Sequence, residues 1–171
     1  MNKIELTQGK YAIVDDEDFE RVNEFKWYYN TNGTGYARRI QHIGMKDGKQ
    51  ILKSISMHRF IMGVENSIVH IDHINHDTLD NRKSNLRLCT NAENGRNRKI
   101  QKGGFSKYKG VFKSSKSRIK PFRARIMFNQ KPINLGSFAA EREAAIAYNK
   151  AALHYFGEFA LLNDVSENSL K

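Results

Sequence analysis

Charge is distributed unevenly along this 171-residue chain. The stretch from Asn94 to Ala140 contains 13 Lys and Arg and no Asp or Glu, whereas the other residues contain 16 Lys and Arg against 18 Asp and Glu. This stretch therefore accounts for the whole net charge of +11. Such a concentrated cationic surface indicates a polyanion partner, usually nucleic acid. The alternative is a basic, solvated face without a dedicated ligand.

The composition excludes several classes of protein. The length fits one or two small domains, each able to bury a modest core. No stretch approaches the roughly 20 apolar residues that a membrane helix needs, and the polar opening of the sequence does not resemble a signal peptide. The single cysteine, Cys89, excludes a disulfide within the chain and a cysteine-rich zinc site. We therefore expect no membrane association and an intracellular, cytoplasmic setting.

Local patterns predict strands in the first part of the chain and a helix near its end. The predicted elements of residues 1–63 are a strand at 11–14, a helix at 15–25, a hairpin formed by 26–30 and 36–40 around Asn32-Gly33, and a strand at 51–57. Residues 107–165 are predicted to form two or three strands and then one helix. The residues expected on the apolar face of that helix are Ala140, Ala144, Ala147, Ala151 and Tyr155.

Residues 69–94 contain the polar side chains that most strongly indicate catalysis. Apolar and polar residues alternate up to His73, a turn-rich stretch follows, and a helix is predicted from about Thr90. This order of elements is a β-hairpin that leads into a short helix. The helix would lay Asn94 beside the strand that carries Asp72 and His73.

The residue types in this region suit the hydrolysis of a phosphodiester. That reaction needs a base that takes a proton from water and a cation that stabilises the charge building on the phosphate and the leaving oxygen. Histidine supplies a neutral base near pH 7. Asp and Asn oxygens are hard ligands, which suit Mg²⁺ or Mn²⁺ rather than zinc.

Four short segments carry a recognisable pattern: Asp72-His73-Ile74-Asn75, Asp80-Asn81-Arg82, Asn85-Leu86-Arg87 and Asn94. Together they resemble the HNH (ββα-metal) nucleases, and most closely the homing endonucleases that join this core to DNA-binding modules. The resemblance implies that His73 is the general base, that Asp72 is a metal ligand and that Asn94 completes the metal site. It further implies that Asn85 braces the hairpin and orients the histidine.

Other polar residues of the chain are interpreted as structural. Arg82 and Arg87 are expected either to contact phosphate or to be solvated. His70 and His76 could assist the site, but His76 stands where many relatives of the family have Gly, so it is left outside the catalytic set. Three asparagines are predicted to be turn or capping residues: Asn75, Asn81 and Asn91. The histidines expected to be structural or solvent-facing are His42, His58 and His154.

The C-terminal part carries a second recognisable pattern in five segments: Tyr108-Lys109-Gly110-Val111, Phe122-Arg123-Ala124-Arg125-Ile126, Leu135-Gly136-Ser137-Phe138, residues 144–152 and Leu162-Asn163. These segments resemble the Apetala/ethylene-response DNA-binding domains. The resemblance implies a three-stranded antiparallel sheet packed on one helix, with the outer face of the sheet in the DNA major groove.

The alternation in residues 122–126 supports that geometry independently. Apolar residues alternate with Arg123 and Arg125, so a strand would direct the apolar set to the helix and both guanidinium groups to the other face. Each arginine either reads a base or contacts only phosphate, and the sequence leaves both alternatives open. Phe112 and Met127 stand where family members often carry DNA-contacting arginines, so the family's base preference is not carried over. Ala140 replaces the usual hydroxyl residue at the helix start, which removes a cap worth about 1 kcal/mol.

The expected fold class is α+β: a β-rich N-terminal region, a ββα-metal HNH core and a three-stranded antiparallel sheet packed on one helix. Residues 1–98 are expected to hold the first two, with the core at about 68–98. A basic linker is expected at 99–106, the DNA-binding domain at 107–165 and a tail at 166–171. The residues expected to contact DNA are Arg96, Arg98, Lys99, Lys109, Lys113, Arg118, Arg123, Arg125 and Lys131.

The sequence thus predicts a nuclease that hydrolyses phosphodiester bonds in double-stranded DNA with Mg²⁺ or Mn²⁺. The resemblance implies a homing endonuclease that acts in a bacterial or phage-infected cell. A catalytically inactive transcription regulator and a restriction or defence nuclease are the alternatives. We expect a monomer and no small-molecule cofactor.

Overall fold

A computed structural model of the chain describes residues 1–31, 35–99, 105–115 and 118–166. The chain divides into two compact units, Met1–Asn91 and Ala92–Lys171. Three predicted features lie partly or wholly outside the described residues. They are the Asn32-Gly33 turn, most of the 99–106 linker and residues 167–171 of the tail.

The first unit begins with an antiparallel hairpin followed by a helix. Strand β1 (Asn2–Glu5) pairs with β2 (Tyr11–Val14), and helix α1 covers Asp16–Asn23. The first turn of α1 contains three acidic residues, which interact favourably with the positive end of the helix dipole. Val22 is fully buried on the inner face of α1. The sequence predicts β2 and α1, whereas β1 was not predicted.

A three-stranded antiparallel sheet comes next, in the order β3-β4-β5. Strand β3 covers Tyr28–Asn30, β4 covers Tyr36–Lys46 and β5 covers Lys49–Ser56. The prediction for β4 ended six residues too early, because the strand continues to a tight turn at Asp47-Gly48. Both turn residues have positive φ, 49° and 72°, as a two-residue hairpin turn requires.

The rest of the first unit contains a short helix and a second hairpin. The strand predicted at 51–57 ends at Ser56, and helix α2 covers Met57–Ile61. Strand β6 (His70–His73) pairs antiparallel with β7 (Leu86–Cys89). The buried side chains of all these elements form one core: Ile4, Leu6, Ala12, Val14, Val22, Trp27, Ala37, Met57, Ile61, Ile71 and Leu86.

The second unit contains a helix, a three-stranded sheet and a longer helix. Helix α3 covers Asn91–Arg96, so the division between the units falls after its first residue. Strands β8 (Val111–Lys113), β9 (Phe122–Phe128) and β10 (Lys131–Phe138) form an antiparallel sheet in the order β10-β9-β8. Helix α4 (Glu141–Phe156) packs against all three strands. This sheet-and-helix arrangement agrees with the expectation for this part of the chain.

The buried face of α4 differs from the predicted one. Ala144 is buried as predicted, but Ala147, Ala151 and Tyr155 are only partly buried and Ala140 is exposed. The core is filled instead by the neighbouring stripe, which brings two aromatic side chains, Tyr148 and Phe156, against the sheet. Its members are Ala145, Tyr148, Ala152 and Phe156.

The N-terminus of α4 lacks a side-chain cap from its first residue. Ala140 has no side-chain acceptor, as the sequence indicated. Its backbone N–H instead donates to Oε2 of Glu143 at 3.4 Å, which is one half of a capping box.

The described residues therefore form an α+β fold with mostly antiparallel strands. None of the helices in the described part of the chain has the length and apolar character that crossing a bilayer requires.

Candidate active site

The β6-β7 hairpin places Asp72 and His73 next to each other on a buried strand. Arg87 of β7 lies directly opposite Asp72 in the register. Its Nε and Nη2 atoms donate to Oδ2 of Asp72 at 3.0 and 2.6 Å. Both side chains are nearly inaccessible, so the guanidinium compensates a carboxylate charge that would otherwise be costly to bury. The sequence suggested phosphate or solvent for Arg87, and the structure gives it this buried partner.

His73 is held by Asn81, which the sequence analysis interpreted as a turn or capping residue. Oδ1 of Asn81 lies 3.3 Å from Nε2 of His73, and Nδ2 of Asn81 donates to the carbonyl of Leu79 at 3.1 Å. Because the amide nitrogen is committed to Leu79, the amide oxygen faces the ring and requires a proton on Nε2. The neutral ring then has its basic lone pair on Nδ1. Burial lowers the pKa of His73 and outweighs the opposing effects of Asn81 and nearby carboxylates, so the ring is neutral near pH 7.

The loop between β6 and β7 is joined at its two ends by Asn85. Oδ1 of Asn85 accepts from the N–H of Asn75 at 3.0 Å, and its carbonyl accepts from the N–H of Ile74 at 3.0 Å. Its amide group donates to the carbonyl of Asp80 at 2.8 Å. These contacts all go to loop residues, so the implied role of Asn85 in orienting His73 stays a prediction.

Asp80 is a buried carboxylate in the middle of the same loop. Arg82 donates to its two oxygens at 2.7 and 2.6 Å, and Nδ2 of Asn75 donates to Oδ2 at 2.9 Å. The hydrogen bonds from Arg82 are the main reason that the pKa of Asp80 lies below its ordinary value. His76 adopts φ 64° in this loop, which fits a position where glycine is common.

The N-terminal hairpin fixes the position of Asn81. The N–H of Ile13 donates to the carbonyl of Leu79, and the N–H of Asn81 donates to the carbonyl of Ile13, both at 2.8 Å. Asn81 is only 1% exposed. The residue beside His73 is therefore anchored to strand β2, far away in sequence, and local patterns give no signal for this contact.

Two more rings pack against His73. The His58 ring lies edge-on to it, with centroids 5.2 Å apart, and Tyr36 contacts both histidines at 5.0 and 5.7 Å. Burial, followed by the proximity of His73, Arg59 and Arg38, lowers the pKa of His58 to about 3. His58 is thus structural, as expected, but it is buried beside the candidate base rather than in solvent.

The burial of His58 predicts that the folded protein loses stability in acid. In the unfolded chain His58 takes up a proton below pH 6.5, whereas in the folded protein it stays neutral down to about pH 3. The free energy of unfolding therefore has its full value above pH 6.5. It decreases as the pH drops, by about 2 kcal/mol at pH 5. His58→Gln removes this titration. Urea unfolding at pH 7.5 and 5.0 should show that the free energy of unfolding falls less between the two pH values in the variant than in the wild type. Equal decreases would mean that His58 is not the cause of the acid sensitivity.

The donors implied for a metal ion lie on different elements. Asp72 is on β6 in the first unit, and Asn94 is half-buried on α3 in the second. In the described ranges, no group of three or more His, Cys, Asp or Glu side chains is arranged to hold a metal ion. The sequence implied one carboxylate and one amide as donors, whose hard oxygens are of the kind that Mg²⁺ and Mn²⁺ prefer, and this assignment stays a prediction.

The outer face of the second unit's sheet carries two arginines around an aromatic ring. The guanidinium groups of Arg123 and Arg125 lie 6.0 and 5.2 Å from the ring centroid of Phe112. On the inner face, Ala124 and Ile126 are buried, so the predicted alternation along β9 is confirmed. Met127 is 53% exposed.

The other residues expected to contact DNA differ in their accessibility. Lys109 is partly buried, and its ammonium donates to the carbonyls of Arg96 and Arg98. The Arg96 guanidinium stacks 5.0 Å from the ring centroid of Phe156. Lys109 and Arg96 are therefore engaged within the second unit. The residues of the set that are exposed are Arg98, Lys99, Lys113, Arg118, Arg125 and Lys131.

Comparisons with known proteins identify the family to which this region belongs. Residues 63–96 match the family model described as HNH endonuclease, and this range includes β6, the loop, β7 and α3. The chain is 30% identical to an HNH endonuclease of Acanthamoeba polyphaga mimivirus over 158 residues, which cover 92% of this chain and 77% of the viral protein. Since the similarity extends over most of both chains, this protein belongs to the HNH endonuclease family and is a nuclease.

Proposed function

We propose that this nuclease hydrolyses phosphodiester bonds in double-stranded DNA with the help of a divalent metal ion. The observation that carries the proposal is the environment of His73. It is a buried, neutral histidine next to a carboxylate, with one ring nitrogen committed to Asn81. Such a ring is a suitable base at neutral pH.

In this proposal each residue of the site has a separate role. Nδ1 of His73 takes a proton from the water that attacks phosphorus, and Asn81 keeps the ring in the orientation and tautomer that this step needs. Asp72 and Asn94 would hold Mg²⁺ or Mn²⁺. When bound, such an ion stabilises negative charge on the phosphate and on the leaving oxygen. Asn85 braces the loop that carries Asn81.

The second unit is proposed to bind the duplex. It resembles the Apetala/ethylene-response domains, and its sheet exposes Arg125 beside Arg123 on the face opposite α4. A β surface of this kind fits the DNA major groove. The nuclease family, a separate basic unit and a viral relative together favour a homing endonuclease that acts on DNA inside a host cell.

Removal of divalent ions should abolish cleavage. EDTA is expected to stop the conversion of supercoiled plasmid to nicked or linear DNA, and excess Mg²⁺ or Mn²⁺ should restore it, since the ion stabilises the transition state. Mapping the product ends would show whether one strand or both are cut. Cleavage at the full rate in EDTA would refute metal dependence.

The same assay tests the ligand assignment. Asn94→Ala should raise the Mg²⁺ concentration for half-maximal cleavage by at least ~10-fold, since loss of even an indirect metal contact has effects of that size. Asn91→Ala is the matched control, because it replaces an exposed asparagine on the same helix. It should leave the Mg²⁺ concentration for half-maximal cleavage unchanged. Equal Mg²⁺ requirements in the wild type and Asn94→Ala would remove Asn94 from the site.

A further inference from the structure

The β4-β5 hairpin of the first unit projects as a two-stranded ribbon. Every residue from Ile40 to Ser54 is exposed, apart from the half-buried Gly44. The strands remain paired to the tip, where Lys46 faces Lys49 across the Asp47-Gly48 turn. A ribbon exposed on both faces contributes little to a core, so its length needs another explanation.

Three lysines lie on one face of this ribbon. Lys46 and Lys49 are direct cross-strand partners, and Lys53 follows Lys49 by four residues on β5, which places it on the same face. All three are exposed, and the only acidic residue of the projecting part is Asp47 in the turn. The face is therefore cationic.

The placement of Lys46 opposite Lys49 is unfavourable in the isolated protein. Like charges directly opposite each other destabilise a strand pair, whereas opposite charges in the same positions stabilise it. An anion between or beside the two ammonium groups would relieve this repulsion. Regularly spaced phosphates supply such anions along a duplex, and the major groove is about 12 Å wide and admits a two-stranded ribbon.

We infer that the β4-β5 ribbon is a second duplex-DNA contact element, with Lys46, Lys49 and Lys53 on the phosphates. This inference rests on the proposed function, because it takes DNA as the substrate. It gives the nuclease unit its own contact with the duplex, in addition to the contact proposed for the basic sheet of the second unit. Arg39, at the base of the ribbon, is excluded from this role because it packs 4.0 Å from the Phe25 ring centroid.

The test is binding of the full-length protein to a fluorescein-labelled 30-base-pair duplex of mixed sequence in EDTA, over a series of salt concentrations. Each phosphate contact contributes ~0.9 to the slope of log affinity against log salt, so neutralising all three lysines to Gln should reduce the slope by ~2.7. The thermal midpoint should be unchanged or higher, because the Lys46–Lys49 repulsion is gone.

A second triple variant provides the matched control. Lys3→Gln, Lys10→Gln and Lys26→Gln remove the same charge from exposed positions of the same unit outside the ribbon. This variant should retain most of the wild-type slope. Equal slopes for the two triple variants would overturn the inference. Salt-independent or absent binding by the wild type would instead overturn the proposed DNA substrate.

Discussion

His73→Ala is expected to reduce plasmid cleavage by about 10²–10⁴-fold, which is the usual cost of losing a positioned general base. The ring is buried beside Asp72, and its Nε2–H donates a hydrogen bond to Oδ1 of Asn81. The nitrogen that can act as the base is therefore Nδ1. His58, which packs against His73, lies on α2 rather than beside Asp72 and makes ring contacts with Tyr36 and His73. The measurement is the single-turnover rate of cleavage at saturating Mg²⁺.

Two comparisons separate a catalytic effect from a structural one. Duplex affinity of His73→Ala in EDTA should match the wild type, because the substitution lies in the nuclease motif and not on a basic surface. His154→Ala replaces an exposed histidine on α4 and should cut at the normal rate. Near wild-type cleavage by His73→Ala would assign the base to another group.

The sequence predicted the elements around the site better than the contacts within it. The alternation before His73, the turn-rich loop and the helix near Thr90 correspond to β6, the loop and α3. Asn81 was interpreted as a turn residue, although its side chain lies against His73. Its position depends on hydrogen bonds to Ile13 of β2, and pairing between residues so far apart leaves no periodic signal in the chain.

Some elements of the fold could not be predicted from the sequence either. Strand β1 contributes only one fully buried side chain, Ile4, and exists because β2 pairs with it. Helix α2 covers five residues, too few for helical periodicity to separate it from the preceding strand. The Asp47-Gly48 turn is different, since Asp-Gly between two alternating runs is a known hairpin signal that was available in the sequence.

Gly110→Ala is expected to destabilise the second unit by about 3 kcal/mol or more, through close packing and backbone strain together. Gly110 has φ 75°, and a Cβ there would lie 2.1 Å from the Tyr148 ring and 2.7 Å from the carbonyl oxygen of Arg125. Tyr148 is buried against β9 and cannot swing into solvent without opening the core. The N–H of Arg125 also donates to the Gly110 carbonyl at 2.9 Å, so a shift of Gly110 would disturb the strand that presents both sheet arginines.

Gly157→Ala separates the two causes of that loss. Gly157 follows α4 with φ 53°, but apart from its own and its chain neighbours' atoms nothing lies within 4 Å of the position of its Cβ. It should therefore lose only the cost of its backbone conformation, about 1–3 kcal/mol. Urea unfolding followed by far-UV circular dichroism reports on both units, whereas fluorescence of Trp27, the single tryptophan, reports on the first. The larger loss for Gly110→Ala should appear in the dichroism transition, together with weaker duplex binding. Equal losses for the two variants would mean that the left-handed backbone, and not the approach of Tyr148, makes glycine necessary at position 110.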